Sequence, residues 1–215
     1  MTELIVVRHG ETDWNRQLRF QGHIDVPLNA AGHEQARRMA NALADEPVDA
    51  IVCSDLLRTR QTAAPLENVL SLRASLHSTW REQSFGIFEG LDMAGIQAQH
   101  PRLWAQWLRH DADFALPEGE CAGRFCGRVL TALGDVARQH PGQRVVVVTH
   151  GGVLDMLWRT AHAVPLHGAR SCDIPNAGIN RLHYRDNTLH IVRWADAVHL
   201  QGLPEQPSTA APLMA

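Results

Sequence analysis

LIVVRHGE, Leu4 to Glu11, runs four apolar residues straight into an arginine and a histidine, followed by a glycine. A strand that looks buried but ends on two groups costly to bury points to a site at its carboxyl end. Two more apolar runs repeat the arrangement. Ala50–Cys53 leads into Ser54-Asp55 and then Arg58, and Val145–Thr149, VVVVT, leads into His150-Gly151-Gly152. Continuous β-branched runs of this kind suit a parallel sheet covered on both faces. Helical periodicity fills the intervals, over Ala31–Asp45, Leu57–Leu70, Met93–Arg109, Gly123–His140 and Val153–Ala161. The alternation predicts an α/β fold: a three-layer sandwich with a mostly parallel central sheet and helices on both faces. Near the end, LHYRDNTLHIV reads as a hairpin turning at Asp186-Asn187. The expected organisation is one domain over residues 1–200, with a small helical cap inserted at about Gly90–Pro117. A Pro- and Ala-rich tail from Gln201 to the end is expected to fray.

Composition narrows the function. The chain has 215 residues, 45% hydrophobic and 20% charged, enough for a substantial core. With a net charge of -3, no global basic field holds nucleic acid or an anionic membrane, so any anion is bound by a local site. All 20 basic residues are arginine, which excludes lysine Schiff-base and Walker-type chemistry; coding bias explains the preference. Cys53, Cys121, Cys126 and Cys172 are scattered without a CxxC pair, as expected of a reduced, cytoplasmic protein. Neither a signal peptide nor a membrane span is expected.

In an open α/β sheet, ligands bind beyond the carboxyl ends of the strands, so Arg8, His9, Arg58 and His150 are expected in one crevice. Arginine's planar fork matches phosphate oxygens, and a neutral imidazole attacks phosphorus; Arg8 and Arg58 are the candidate phosphoryl ligands and His9 the nucleophile. His150 precedes Gly151-Gly152 and a helix start, where backbone N–H groups favour an anion, and is placed to donate to a phosphoryl oxygen. Gly10 is expected to let the backbone approach the anion. Displacing an alkoxide also needs a proton donor. Glu82, in REQSFGIFEG, is chosen as the carboxylic acid that protonates the leaving group and then activates water.

RHGETDWN (Arg8–Asn15), FQGHIDVPLNAAGHEQA (Phe20–Ala36), SDLLRTRQT (Ser54–Thr62), REQSFGIFEG (Arg81–Gly90) and VVVVTHGG (Val145–Gly152) resemble, in order, the motifs of the histidine phosphatase superfamily. The likeness spans about residues 3 to 195 and is narrowest to its branch of phosphoglycerate mutases and small-metabolite phosphatases. It implies that His9 is phosphorylated, that Arg8, Arg58 and Asn15 contact the phosphoryl group, and that Gln21 and Gly22 lie in a substrate-contacting loop. Gly151 is a further substrate-binding candidate. It also implies that Glu82 and His150 are catalytic, that neither metal nor cofactor is needed, and that the ligand is a small phosphorylated metabolite. Dimers are common in the family, so a homodimer is the assembly to expect.

Departures from the mutase pattern favour a phosphatase, with the cofactor-dependent phosphoglycerate mutase as the alternative. Mutases usually carry a tyrosine three residues after the acid, then a long insertion with a lysine. Here that position is Phe85, the stretch to Pro117–Glu120 is short, lysine is absent, and the last motif is THGG rather than AHGN.

Other residues take structural expectations. His183 and His190 should face each other across the hairpin. Trp104 and Trp107 should pack a cap helix, with the substrate mouth as their second possible place. Glu118 and Glu120 fit the N-terminus of the Gly123–His140 helix. Cys126 is expected in the core, and Arg60 on an exposed helix face.

Overall fold

The computed structural model describes residues 1–207. Six strands form one sheet in the order β3-β2-β4-β1-β5-β6. Strands β1 (Thr2–Arg8), β2 (Ala50–Ser54), β3 (Ala74–His77) and β4 (Arg144–Thr149) are parallel; β5 (Ile179–Arg185) and β6 (Thr188–Asp196) form the antiparallel hairpin. Alternate residues of the central strands feed two separate cores. Leu4, Val6, Val145 and Val147 face α6 (Ala122–Gln139) and α7 (Gly151–Ala161), while Ile5, Val7, Val146 and Val148 face α2 (Ala30–Ala42) and α3 (Leu57–Leu70). Both faces are buried, which is why these strands read as unbroken apolar runs.

The hairpin turns where expected. Asp186 and Asn187 both take positive φ, 51° and 60°, the geometry of the tight turn that matches strand twist. His183 pairs with His190 across it. β3 gave no periodicity because it is a short edge strand with half-exposed and exposed residues.

The expected cap helix Met93–Arg109 is two helices, α4 (Met93–Gln99) and α5 (Pro101–Trp107). Pro101 has no N–H to continue the first helix and opens the second instead. The cap has its own small core of Phe88, Ile96, Trp104 and Leu116. Glu120 does not serve the N-terminus of α6, whose cap is Cys121; its carboxylate binds Arg128 through two hydrogen bonds, 3.0 and 2.7 Å. Of the tail from Gln201, residues 201–207 make contacts with the domain, and the remaining tail positions lie outside the described residues. Arg38 donates to the Gln201 carbonyl, Leu203 packs on the second core, and the Gln206 side chain bonds both the N–H and the carbonyl of Asn176.

The end of β1 is locked by close backbone packing. An added Cβ on Gly10 would stand 2.5 Å from the Gly32 carbonyl oxygen, and one on Gly32 2.0 Å from that of Glu11. Gly10 therefore admits the N-terminus of α2. Glu11, fully buried, binds Arg16 and Asn29 and ties α1 (Asp13–Arg16) and α2 to the same corner. Glycine-to-alanine inside a helix ordinarily stabilises by about 0.5–1 kcal/mol. For Gly32→Ala the sign should reverse, because rigid backbone blocks the new methyl: a loss of about 1–3 kcal/mol by urea unfolding is expected. Unchanged or increased stability would refute that packing.

Candidate active site

His9, directly after β1, is buried at 3% exposure. Its Nδ1 lies 2.7 Å from the carbonyl oxygen of Gly10, and a carbonyl only accepts, so Nδ1 carries the proton and the Nε2 lone pair is free. Burial first, then Arg58 and Arg8, push the His9 pKa well below the usual histidine value; the Gly10 bond opposes this. The ring is therefore neutral at neutral pH. His150, at the end of β4, is fully buried, its ring centroid 5.3 Å from that of His9. Its Nε2 pairs with Ser54 Oγ at 2.8 Å, while its Nδ1 has no partner among the described residues. Burial, Arg58 and His9 hold it neutral as well.

Arg8 and Arg58 surround the same space, each with part of its fork committed to backbone. Arg8 Nη1 donates to the Ile174 carbonyl at 2.7 Å. Arg58 donates to the carbonyls of Gly22 (2.8 Å) and Ile24 (3.0 Å), so it also shapes the Gln21-Gly22 loop. The Nε of each is buried without a partner among the described residues. Burial draws the two pKa values down to about 9 and about 10, with Arg170 the next cause for Arg8. A pocket that depresses cations in this way favours an anion. Gly22 takes φ +48°, and an added Cβ there would collide with the Glu89 carboxylate at 2.0 Å, so the loop requires glycine.

Glu82 reaches the site from the loop after β3. Its two oxygens accept from the N–H groups of Gly152 (3.0 Å) and Gln83 (2.9 Å). The carboxyl group thus rests against the N-terminus of α7. Gly152 makes this possible, since an added Cβ would stand 2.1 Å from Glu82 Oε1. The loop is clamped from behind. Arg128 on α6 donates to the carbonyls of Thr79, Arg81 and Glu82, and His23 Nε2 donates to the Glu82 carbonyl at 2.8 Å.

A cavity of about 280 Å³ is lined by Arg8, His9, Asn15, Gln21, Gly22, Arg58 and Glu82. His150 and Gly151 do not line it: His150 stands beside the His9 ring, and Gly151 lies against Arg8, 3.4 Å from Nε to an added Cβ. Asn15 accepts from the Thr12 N–H through Oδ1, in the cap of α1, and also lines the cavity. The two cap tryptophans divide: Trp104 is in the cap core, and Trp107 lines a neighbouring cavity of about 250 Å³. Cys126 is buried in the first core, its thiol pKa raised by burial. Arg60 is exposed. Sequence reasoning missed Ser54's bond to His150, the clamps Arg128 and His23, and Asn176, which donates to the His9 carbonyl at 2.9 Å. It also missed Arg170, which lines both cavities. Ser54 and His23 lie within quoted motifs and Arg128, Asn176 and Arg170 do not, but every one of these contacts is made by tertiary packing.

The chain belongs to the histidine phosphatase superfamily (branch 1), whose family model matches residues 4–197. It is 34% identical over 204 residues to phosphoglycerate mutase-like protein 4 of Arabidopsis thaliana, covering 93% of this chain and 87% of that one. It is 33% identical over 207 residues to the metal-independent phosphoserine phosphatase of the same plant, covering 94% and 85%. Among solved structures it resembles Bacillus stearothermophilus YhfR, with TM-score 0.86, 27% identity, and 94% and 100% of the two chains covered. It also resembles a mycobacterial glucosyl-3-phosphoglycerate phosphatase complexed with VO3, with TM-score 0.78, 28% identity, and 91% and 99% covered.

The neutral histidines give a pH signature. His9 and His150 hold protons less well folded than unfolded, so below the unfolded value near 6.5 the unfolded chain binds more protons and stability falls. Each should cost about 1 kcal/mol per pH unit as pH drops from about 6.5 toward 5.5. Urea titrations should show this slope and its flattening in His150→Asn. An equal slope in that variant would contradict a histidine buried neutral.

Proposed function

We propose that the protein hydrolyses a small phosphomonoester in two steps through a phosphohistidine at His9. One observation carries the reading: a neutral His9 whose proton is held on Nδ1 by Gly10 opens its Nε2 lone pair to a cavity shared with Arg8, Arg58 and Glu82. In the first step Nε2 forms a bond to phosphorus, the bond from phosphorus to the alcohol oxygen breaks, and Glu82 gives that oxygen a proton. In the second, the Glu82 carboxylate takes a proton from water, the water oxygen bonds phosphorus, and the nitrogen–phosphorus bond breaks. Inorganic phosphate leaves and His9 returns neutral. Arg8 and Arg58 stabilise the charge spread over the phosphoryl oxygens, and Asn15 and Gln21 supply further polar contacts.

Hydrolysis is better supported than mutase activity. Relatives named as phosphatases lie on both the sequence and the structural side, and the cap here is two short helices without a lysine. Cytoplasmic residence is supported by four cysteines that are all free and buried. The homodimer rests on the family likeness. No helix among the described residues is long and apolar enough to cross a membrane.

Two variants test the chemistry. His9→Ala should lose phosphate release from p-nitrophenyl phosphate by at least about a thousandfold while keeping the fold intact by circular dichroism. Near-wild-type turnover would remove His9 as nucleophile. Glu82→Gln should slow alkyl phosphates about a hundredfold or more and p-nitrophenyl phosphate far less, because a good leaving group needs no proton. Equal slowing of both would refute the general-acid role.

A further inference from the structure

Two arginines near the start of α7 are held side by side, although like charges repel. A point at Cβ distance from Gly151 lies 3.4 Å from Arg8 Nε and 3.6 Å from Arg170 Nη1. The Arg170 position is built. Asp155 and Arg159, one turn apart on α7, are both buried and joined at 3.1 Å between Asp155 Oδ2 and Arg159 Nε. The remaining nitrogens of Arg159 donate to the carbonyls of Pro165, His167, Gly168 and Ala169, fastening the loop that ends at Arg170. Arg170 itself has little to hold. Its Nε is buried with no hydrogen-bond partner among the described residues, and the nearest oxygen of Asp155 stands 3.8 Å away.

Its place fits a group on the substrate beyond the phosphorus. Arg170 lines the cavity that holds Arg8, His9 and Arg58 and also the neighbouring one, so it reaches beyond the phosphoryl ligands. Arg170 and Glu82, the proposed proton donor to the leaving group, line the same two cavities, and the second has room for an alcohol among Phe20, Phe85 and Trp107. Of the two arginines lining that second cavity, Arg159 is committed to Asp155 and the loop.

We infer that Arg170 is a specificity-determining residue that receives a carboxylate carried by the leaving alcohol, with Asp155 and Arg159 as the residues that position it. This rests on the hydrolytic reading above. The preferred substrates are then phosphorylated hydroxy acids rather than neutral alcohol phosphates.

The test compares 3-phosphoglycerate with glycerol 3-phosphate, two alkyl phosphates of similar size that differ in the carboxylate. For wild type, kcat/KM should favour the carboxylate ester, and Arg170→Gln should cut that ratio about tenfold or more, the loss of one charge-assisted hydrogen bond. Arg170→Lys should restore part of it. A ratio unchanged in Arg170→Gln overturns the inference, whether both esters slow together, as for a phosphoryl ligand, or neither does. A second readout does not depend on turnover. In His9→Ala, which keeps the ester unreacted, 3-phosphoglycerate should raise Tm more than glycerol 3-phosphate, and adding Arg170→Gln should erase the difference; an undiminished difference overturns the inference. Failure of wild type to release phosphate from either ester would instead count against the hydrolytic reading.

Discussion

The hydrogen bond from His9 Nδ1 to the Gly10 carbonyl, 2.7 Å long, is the constraint on which the site depends. It fixes the tautomer, and through the tautomer it fixes which nitrogen keeps a free lone pair. The bond needs the Gly10 carbonyl beside the ring, and Gly10 is packed closely against Gly32. Asn176, Ala177 and Thr149 add hydrogen bonds to the same corner through the Arg8 and His9 main chain. The sheet thus sets the orientation of one imidazole.

Around it the protein repeats one device. Arg58, Arg128 and Arg159 each use a planar guanidinium to gather several backbone carbonyls, and each gathered loop delivers a functional candidate: Gln21-Gly22, Glu82 and Arg170. Lysine, with a single nitrogen on a flexible stem, does not bridge carbonyls in this fixed geometry. Arginine at these three positions therefore has a structural use. Burial of the two histidines, with Arg58 and Arg8 beside them, lowers the pKa of both, and the same two cations that help keep His9 neutral favour an anion in the cavity.

The layered fold and most of the site were legible in the sequence because they follow from local pattern. VVVVT and LIVV declare a doubly covered parallel sheet, and Arg8, His9 and His150 fall at strand ends by chain order alone. Glu82 was chosen from its motif, and its contact with Gly152 supplies the physical reason for a second glycine in THGG. What stayed hidden depends on distant segments meeting. The break at Pro101 was readable from proline chemistry and was overridden by a periodic apolar stripe. Arg170 lies in a stretch without periodicity, 20 positions after His150, and gains meaning through Asp155 and Arg159. The attachment of Gln206 to Asn176 is equally nonlocal, which is why its polar surroundings read as loose chain.

The central claim is that His9 attacks through Nε2, and trapping the intermediate tests it most directly. Enzyme mixed with a phosphomonoester, quenched in alkali within the first turnover and examined by mass mapping and phosphorus NMR, should carry one phosphoryl group on Nε2 of His9. A phosphoryl group on Nδ1 or on His150, or turnover with no phosphoenzyme at any quench time, would contradict it.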